Sequence, residues 1–130
     1  MDFSTPQTAY HATRVLCDNA GLNVNEKNLI CACIYQESEF RNTAVCINRN
    51  TQGIETSRDV GLVQVNSYWH CGPGKDFPST DYVVAHPEEA VNWMIKCYQE
   101  GQLKMWVSFL SKEYLKWLKI DSPMWLLKTN

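Results

Sequence analysis

The sequence predicts an α+β fold, predominantly α-helical, in which a small β-hairpin lobe sits against the helices and an interlobe cleft runs between the two. Three observations predict it. Apolar residues recur at helical spacing before residue 40 and again after residue 86. Between them, over 43–66, the pattern changes to alternation broken by turn residues around Gly53. A chain of 130 residues with 45% apolar and 20% charged content has the size and make-up of one globular domain, expected to span 1–130.

Each element has its own signals. "STPQTAYHATRVLCDNAG" offers Thr5 as a helix cap, Pro6 at the first helical position, apolar Ala9, Ala12, Val15 and Leu16, and a stop at Gly21. "NEKNLICACIYQESEF" predicts a second helix capped by Asn25, with a stripe of Leu29, Ile30, Cys33 and Ile34 whose continuation falls on Glu37. An acid on a core-facing stripe is unusual. Val45 and Ile47 then alternate with polar residues, "NRNTQGIETS" supplies a turn, and a second extended run begins at Asp59. "CGPGKDFPSTD" is a loop, and its Gly-Pro-Gly-Lys lacks the spacing of a phosphate loop. "HPEEAVNWMIKCYQEG" has Pro87 near the helix start, Glu88 and Glu89 in the first turn, Val91, Met94, Ile95 and Tyr98 inward, and Gly101 as stop. "LKMWVSFLSKEYLKWLKI" predicts one or two further helices, with Trp106, Phe109, Leu110, Trp117 and Leu118 on the apolar side and Lys112, Lys116 and Lys119 opposite, ending at Pro123.

Bulk properties exclude several classes. A formal charge of −2 and a pI near 5.9 argue against nucleic acid as partner, since that polyanion rewards clustered Lys and Arg. No run of about 18 apolar residues predicts a membrane span, and no basic-then-apolar start predicts a signal peptide. Cys17, Cys31, Cys33, Cys46, Cys71 and Cys97 are read as buried thiols or as one to three disulfides. They do not suit zinc: no CxxC occurs, and His11, His70 and His86 lie far apart.

The segment "TSRDVGLVQVNSYWHC", Thr56 to Cys71, sets Asp59, Gln64 and Asn66 ahead of Tyr68, Trp69 and His70. A polar row followed by aromatics suits a saccharide, whose rings offer hydroxyls at the edge and C–H faces for stacking. Cleaving a glycosidic bond needs a proton for the leaving oxygen and negative charge near the developing oxocarbenium, hence two carboxyl groups in unlike surroundings. Glu37, at the end of an apolar stripe, suits the acid, because desolvation favours its protonated form. Asp59, among polar neighbours, suits the ionised partner. The plainer alternatives are a solvated helix-end Glu and a turn Asp, with Gln64 and Asn66 bridging within the lobe and Trp69 and Trp106 packing in the core.

"ESEF" at Glu37, "INRNT" at Ile47, "SRDVGLVQVNSYWHC" at Ser57, "AVNW" at Ala90 and "GQLKMWVSF" at Gly101 stand in the order and approximate spacing of the lysozyme superfamily. Over roughly 25–118 the chain resembles a chicken-type lysozyme or a lytic transglycosylase of the microbial or phage branch. The resemblance implies cleavage of the β-1,4 bond between N-acetylmuramic acid and N-acetylglucosamine in peptidoglycan, with glycan strands as the partner and no metal or organic cofactor. It implies Glu37 as catalytic acid, Asp59 as second carboxylate, Gln64, Asn66 and Trp69 as saccharide contacts, and Trp106 as the wall beside the glutamate. A monomer acting on the cell wall, extracytoplasmic or phage-delivered, is expected.

Departures from the animal lysozymes are plain. The segment between "ESEF" and "DVGL" is longer, Trp93 stands at a lysozyme cysteine position, and apart from Cys71 the cysteines do not match that family's pairs. "HPEEAVNWM" and "WVSFLSKEYLKWL" resemble the transglycosylase-like branch, in which Glu37 alone would do the acid–base work and a substrate hydroxyl would attack to form a 1,6-anhydro sugar. Two other classes stand as rivals. A non-catalytic saccharide-binding relative would be expected to have lost the acid at Glu37. A membrane-surface lytic factor would use the Lys- and Trp-rich C-terminal stripe, which core packing explains more simply.

Overall fold

The computed structural model describes residues 1–103, 106 and 111–118. Helix α1 (Pro6–Asn19) starts at the expected cap: the Thr5 hydroxyl accepts from the Thr8 N–H, and the Thr8 hydroxyl accepts from the Thr5 N–H. Its inward face is rotated from the expected stripe. Tyr10, Thr13 and Cys17 are buried beside Ala9, Ala12 and Leu16, while Val15 is exposed. Gly21, with φ 79°, supplies the left-handed turn that ends the element.

Helix α2 (Val24–Ser38) forms the centre of the core. Its cap is Asn23 rather than Asn25, because Asn23 and Glu26 each accept the other's backbone N–H and so satisfy two donors at once. Every residue from Ile30 to Tyr35 is buried, so the expected stripe is only part of a helix covered on several sides. The helix stops sharply: Glu39 (φ 54°) and Phe40 (φ 60°) are both left-handed, which is uncommon for a bulky side chain. Phe40 is fully buried and meets Tyr10 edge to face at 5.6 Å. Burial of a side chain that size is worth about 2–3 kcal/mol, which offsets the cost of about one such residue.

Strands β1 (Val45–Arg49), β2 (Glu55–Val60) and β3 (Val65–Asn66) form an antiparallel sheet in the order β1-β2-β3. The expected hairpin is therefore one strand short. The second run begins at Glu55, not Asp59, which places Asp59 next to last in β2 rather than at its start. Polar residues 55–59 carry no apolar alternation, and their pairing with β1 makes them a strand. Val45 and Ile47, whose alternation marked β1, are exposed.

After β3 come α3 (Ser67–His70), a loop, α4 (Thr80–Ala85), α5 (Pro87–Gln99) and α6 (Leu115–Leu118). The sequence reading missed α4, which is capped by Ser79 and buries only Val83, too short for periodicity to show. Helix α5 is as expected, with Pro87 in its first turn and Val91, Met94 and Ile95 buried. Tyr98 is half-buried and donates to the Glu26 carboxylate at 2.8 Å. In α6, Trp117 packs edge-on against Tyr35 at 4.4 Å and donates to Gln36 at 2.8 Å. Lys112 and Lys116 are exposed as expected, whereas Phe109, Leu110, Lys119 and Pro123 lie outside the described residues. No described helix is long and apolar enough to cross a membrane.

All six cysteines are free: Cys17, Cys31, Cys33 and Cys97 are buried, Cys71 is half-buried and Cys46 is exposed. Burial pushes the Cys31 and Cys33 thiols up to about 12 and Cys17 to about 11, with the Glu37 carboxylate adding to the shift at Cys33. An unfolded thiol titrates near 8.5. The unfolded chain thus loses these protons first, so the stability they confer is complete below that pH and drains away as pH rises towards about 11. Urea unfolding across neutral to alkaline pH should show that decline, and a thiol reagent at neutral pH should label Cys46 first and the buried four only on unfolding. Stability that stays level or rises over this range would count against these thiols being buried and protonated.

Candidate active site

Glu37 projects from the last turn of α2 and is half-buried, its place set by the sharp turn at Glu39 and Phe40. Next to it, the buried Ser38 hydroxyl donates to the Leu62 carbonyl at 2.7 Å. The Trp106 indole, 5% exposed, donates to the neighbouring Val63 carbonyl at 2.6 Å. These two bonds capture consecutive carbonyls of the β2–β3 turn. The helix that carries Glu37 is thereby tied directly to the lobe that carries Asp59.

Asp59 owes its setting to strand register. Cys46 and Asn66 pair with Asp59, and Asn48 pairs with Ser57; residues directly opposed in an antiparallel sheet share a face. On that face the Asn48 amide donates to Asp59 Oδ2 at 3.1 Å and the Asn66 amide to Oδ1 at 2.9 Å. Both amides also reach the Ser57 hydroxyl, at 3.0 Å and 3.3 Å. The carboxylate is oriented by neutral amides, and among the described residues no Lys or Arg pairs with it.

Asn66 and Gln64 are structural parts of the lobe as well as lining. Asn66 Oδ1 accepts from the Tyr68 and Trp69 N–H groups and so caps α3. Gln64, at φ 54°, donates its amide to the Ala44 and Gly61 carbonyls at 3.0 Å and 2.9 Å, bracing the turn between β2 and β3. Gly61 fits this turn because φ there is 78°, a conformation that residues with a side chain rarely adopt. Trp69 is 70% exposed at the lip, an open stacking face held by the capped helix.

A cleft of about 610 Å³ gathers these groups, with Glu37 on the helical side and Asp59 on the sheet side. All six residues singled out in the sequence, Glu37, Asp59, Gln64, Asn66, Trp69 and Trp106, line it. His70, one of the aromatics read as suiting a saccharide, lines it too, as do Asn48, Val65 and Trp93, to which the sequence analysis gave no role there. The "INRNT" motif contained Asn48, but only the register reveals its partner. Trp93 stands between Trp106 (5.3 Å) and His70 (4.8 Å), joining α5 to the sheet lobe through ring contacts.

No family model matches the chain. Among the described residues no three His, Cys, Asp or Glu side chains converge as metal ligands would. The cleft offers two carboxyl groups on opposite lobes, amide groups between them and aromatic surface at wall and lip. Such a set can bind a neutral polyhydroxylated chain and move a proton on it.

Proposed function

We propose that the chain cleaves the β-1,4 bond between N-acetylmuramic acid and N-acetylglucosamine in peptidoglycan, and so belongs with the lysozyme-like glycosidases that its motifs resemble. What supports this is the meeting of Glu37 and Asp59 in one cleft from two different lobes. A glycan strand lying in the cleft would stack a sugar on Trp69. Glu37 would protonate the glycosidic oxygen, and the Asp59 carboxylate would meet the positive charge that develops at the anomeric carbon. Glu37, then deprotonated, would accept the proton of the incoming water. The reaction uses no metal or organic cofactor, and its substrate lies in the cell wall.

Both oxygens of Asp59 already accept hydrogen bonds, which suits the fixed electrostatic partner just described. The motifs that resemble the transglycosylase-like branch carry a second reading. In that reading Glu37 alone does the acid–base work, and the sugar's own 6-hydroxyl attacks to give a 1,6-anhydro end. Mass spectrometry of the muropeptides released from purified sacculi separates the two. Reducing ends are the product of the hydrolase and anhydro ends of the transglycosylase, while sacculi left uncut by folded protein would remove both.

A further inference from the structure

His70 is built into the cleft with a fixed polarity. Its Nδ1 lies 2.7 Å from the Asp76 carboxylate. A carboxylate only accepts, so Nδ1 carries the proton, and in the neutral ring Nε2 presents a lone pair. The ring cannot easily turn away from this arrangement. It packs edge-on against Trp93 at 4.8 Å, and Trp93 is itself wedged against Phe77 and Trp106, both at 5.3 Å. The backbone holds Asp76 opposite the imidazole: the Phe77 N–H donates to the His70 carbonyl at 2.9 Å, and the Gly72 N–H donates to the Phe77 carbonyl at 2.8 Å. The His70 side chain is 19% exposed and lines the cleft. Its Nε2 has no hydrogen-bond partner among the described residues.

A mostly covered acceptor of fixed direction rewards a ligand that brings a donor and penalises one that brings an acceptor, because the mismatched pair loses its water without replacement. We propose that His70 is a specificity-determining residue of the cleft: Nε2 accepts a hydrogen bond from a hydroxyl or acetamido N–H of the bound glycan. Asp76 is then a positioning residue that locks the ring in its accepting tautomer. This rests on the saccharide reading above and adds to it the polarity of one wall.

The test uses the full chain carrying Glu37→Gln, so that ligand is not consumed, and measures binding of an N-acetylglucosamine tetrasaccharide by calorimetry. Adding His70→Phe keeps the aromatic contact with Trp93 and removes the acceptor, and should weaken binding about three- to tenfold. Adding Asp76→Asn, whose amide can donate to Nδ1, should weaken it comparably and move the ring proton to Nε2. ¹⁵N spectra of the histidine report that change directly. In the unsubstituted protein, at a pH about two units above the ordinary imidazole value of about 6.5, the same spectra should show Nε2 unprotonated and shifting when the saccharide binds. A protonated Nε2 there, or tetrasaccharide affinity unchanged by His70→Phe while Trp69→Ala weakens it, overturns the proposal and leaves the saccharide reading standing. If the Glu37→Gln protein binds no tetrasaccharide and the unsubstituted protein cuts no sacculi, the saccharide reading fails and the proposal falls with it.

Discussion

Glu37→Gln is expected to abolish clearing of peptidoglycan, by on the order of 10²-fold or more, while leaving the protein folded. The amide has nearly the shape of the carboxyl group but cannot deliver a proton to the glycosidic oxygen or take one from water. The structure gives reason to expect an intact fold. Glu37 is only half-buried, and the end of α2 is held by its neighbours, through the Ser38 bond to the Leu62 carbonyl at 2.7 Å and the fully buried Phe40. Circular dichroism and a thermal melt check the fold, and turbidity of a sacculus suspension checks the activity. A folded variant that keeps more than about a tenth of the original rate would remove Glu37 from the chemistry, since general acid–base catalysis alone is worth about 10²–10⁴-fold.

The second large effect is expected at Asp59. In Asp59→Asn one of the two oxygens becomes an NH₂ group facing an amide donor, Asn48 at 3.1 Å or Asn66 at 2.9 Å. One of these hydrogen bonds must be lost, at a cost of about 1–3 kcal/mol if the groups stay out of water. The negative charge that would meet the oxocarbenium disappears as well. Activity is therefore expected to fall on the order of 10²-fold, the scale on which removing one preorganised electrostatic group acts, with a modest drop in melting temperature. Rates and released muropeptides measured together decide the role of this residue. A near-normal rate with anhydro products would leave Asp59 a structural part of the sheet and assign the acid–base work to Glu37 alone.

Much of this architecture was legible because its signals are local. The Thr5 cap, Pro6, the Gly21 stop, Pro87 in the first turn of α5 and the Gly101 stop each depend on residues within about one turn of one another, and all stand where the sequence places them. The Asn23 cap was legible in principle, since Glu26 follows it at the capping-box spacing, but Asn25 competes as a residue of the same type. The stripe that ends on Glu37 likewise follows from 3.6-residue periodicity. The resemblance carried by "ESEF", "SRDVGLVQVNSYWHC" and "GQLKMWVSF" pointed to six of the residues that line the cleft.

The sequence by itself thus determined the helical frame, the switch to an extended lobe and the two acids on which a glycosidase reading depends. Tertiary structure alone decided how those acids are surrounded. Strand β2 begins at Glu55 because β1 pairs with it, and that register sets Asn48 beside Asp59 across eleven residues of chain. Ser38 and Trp106 reach the Leu62 and Val63 carbonyls from distant segments, and loop closure through Phe77 brings Asp76 to His70. The physical reason is the range of the interactions. Caps and periodicity are fixed by neighbours along the chain, whereas register, interlobe bonds and aromatic contacts form only when loop-closure entropy has been offset by burial of the whole core.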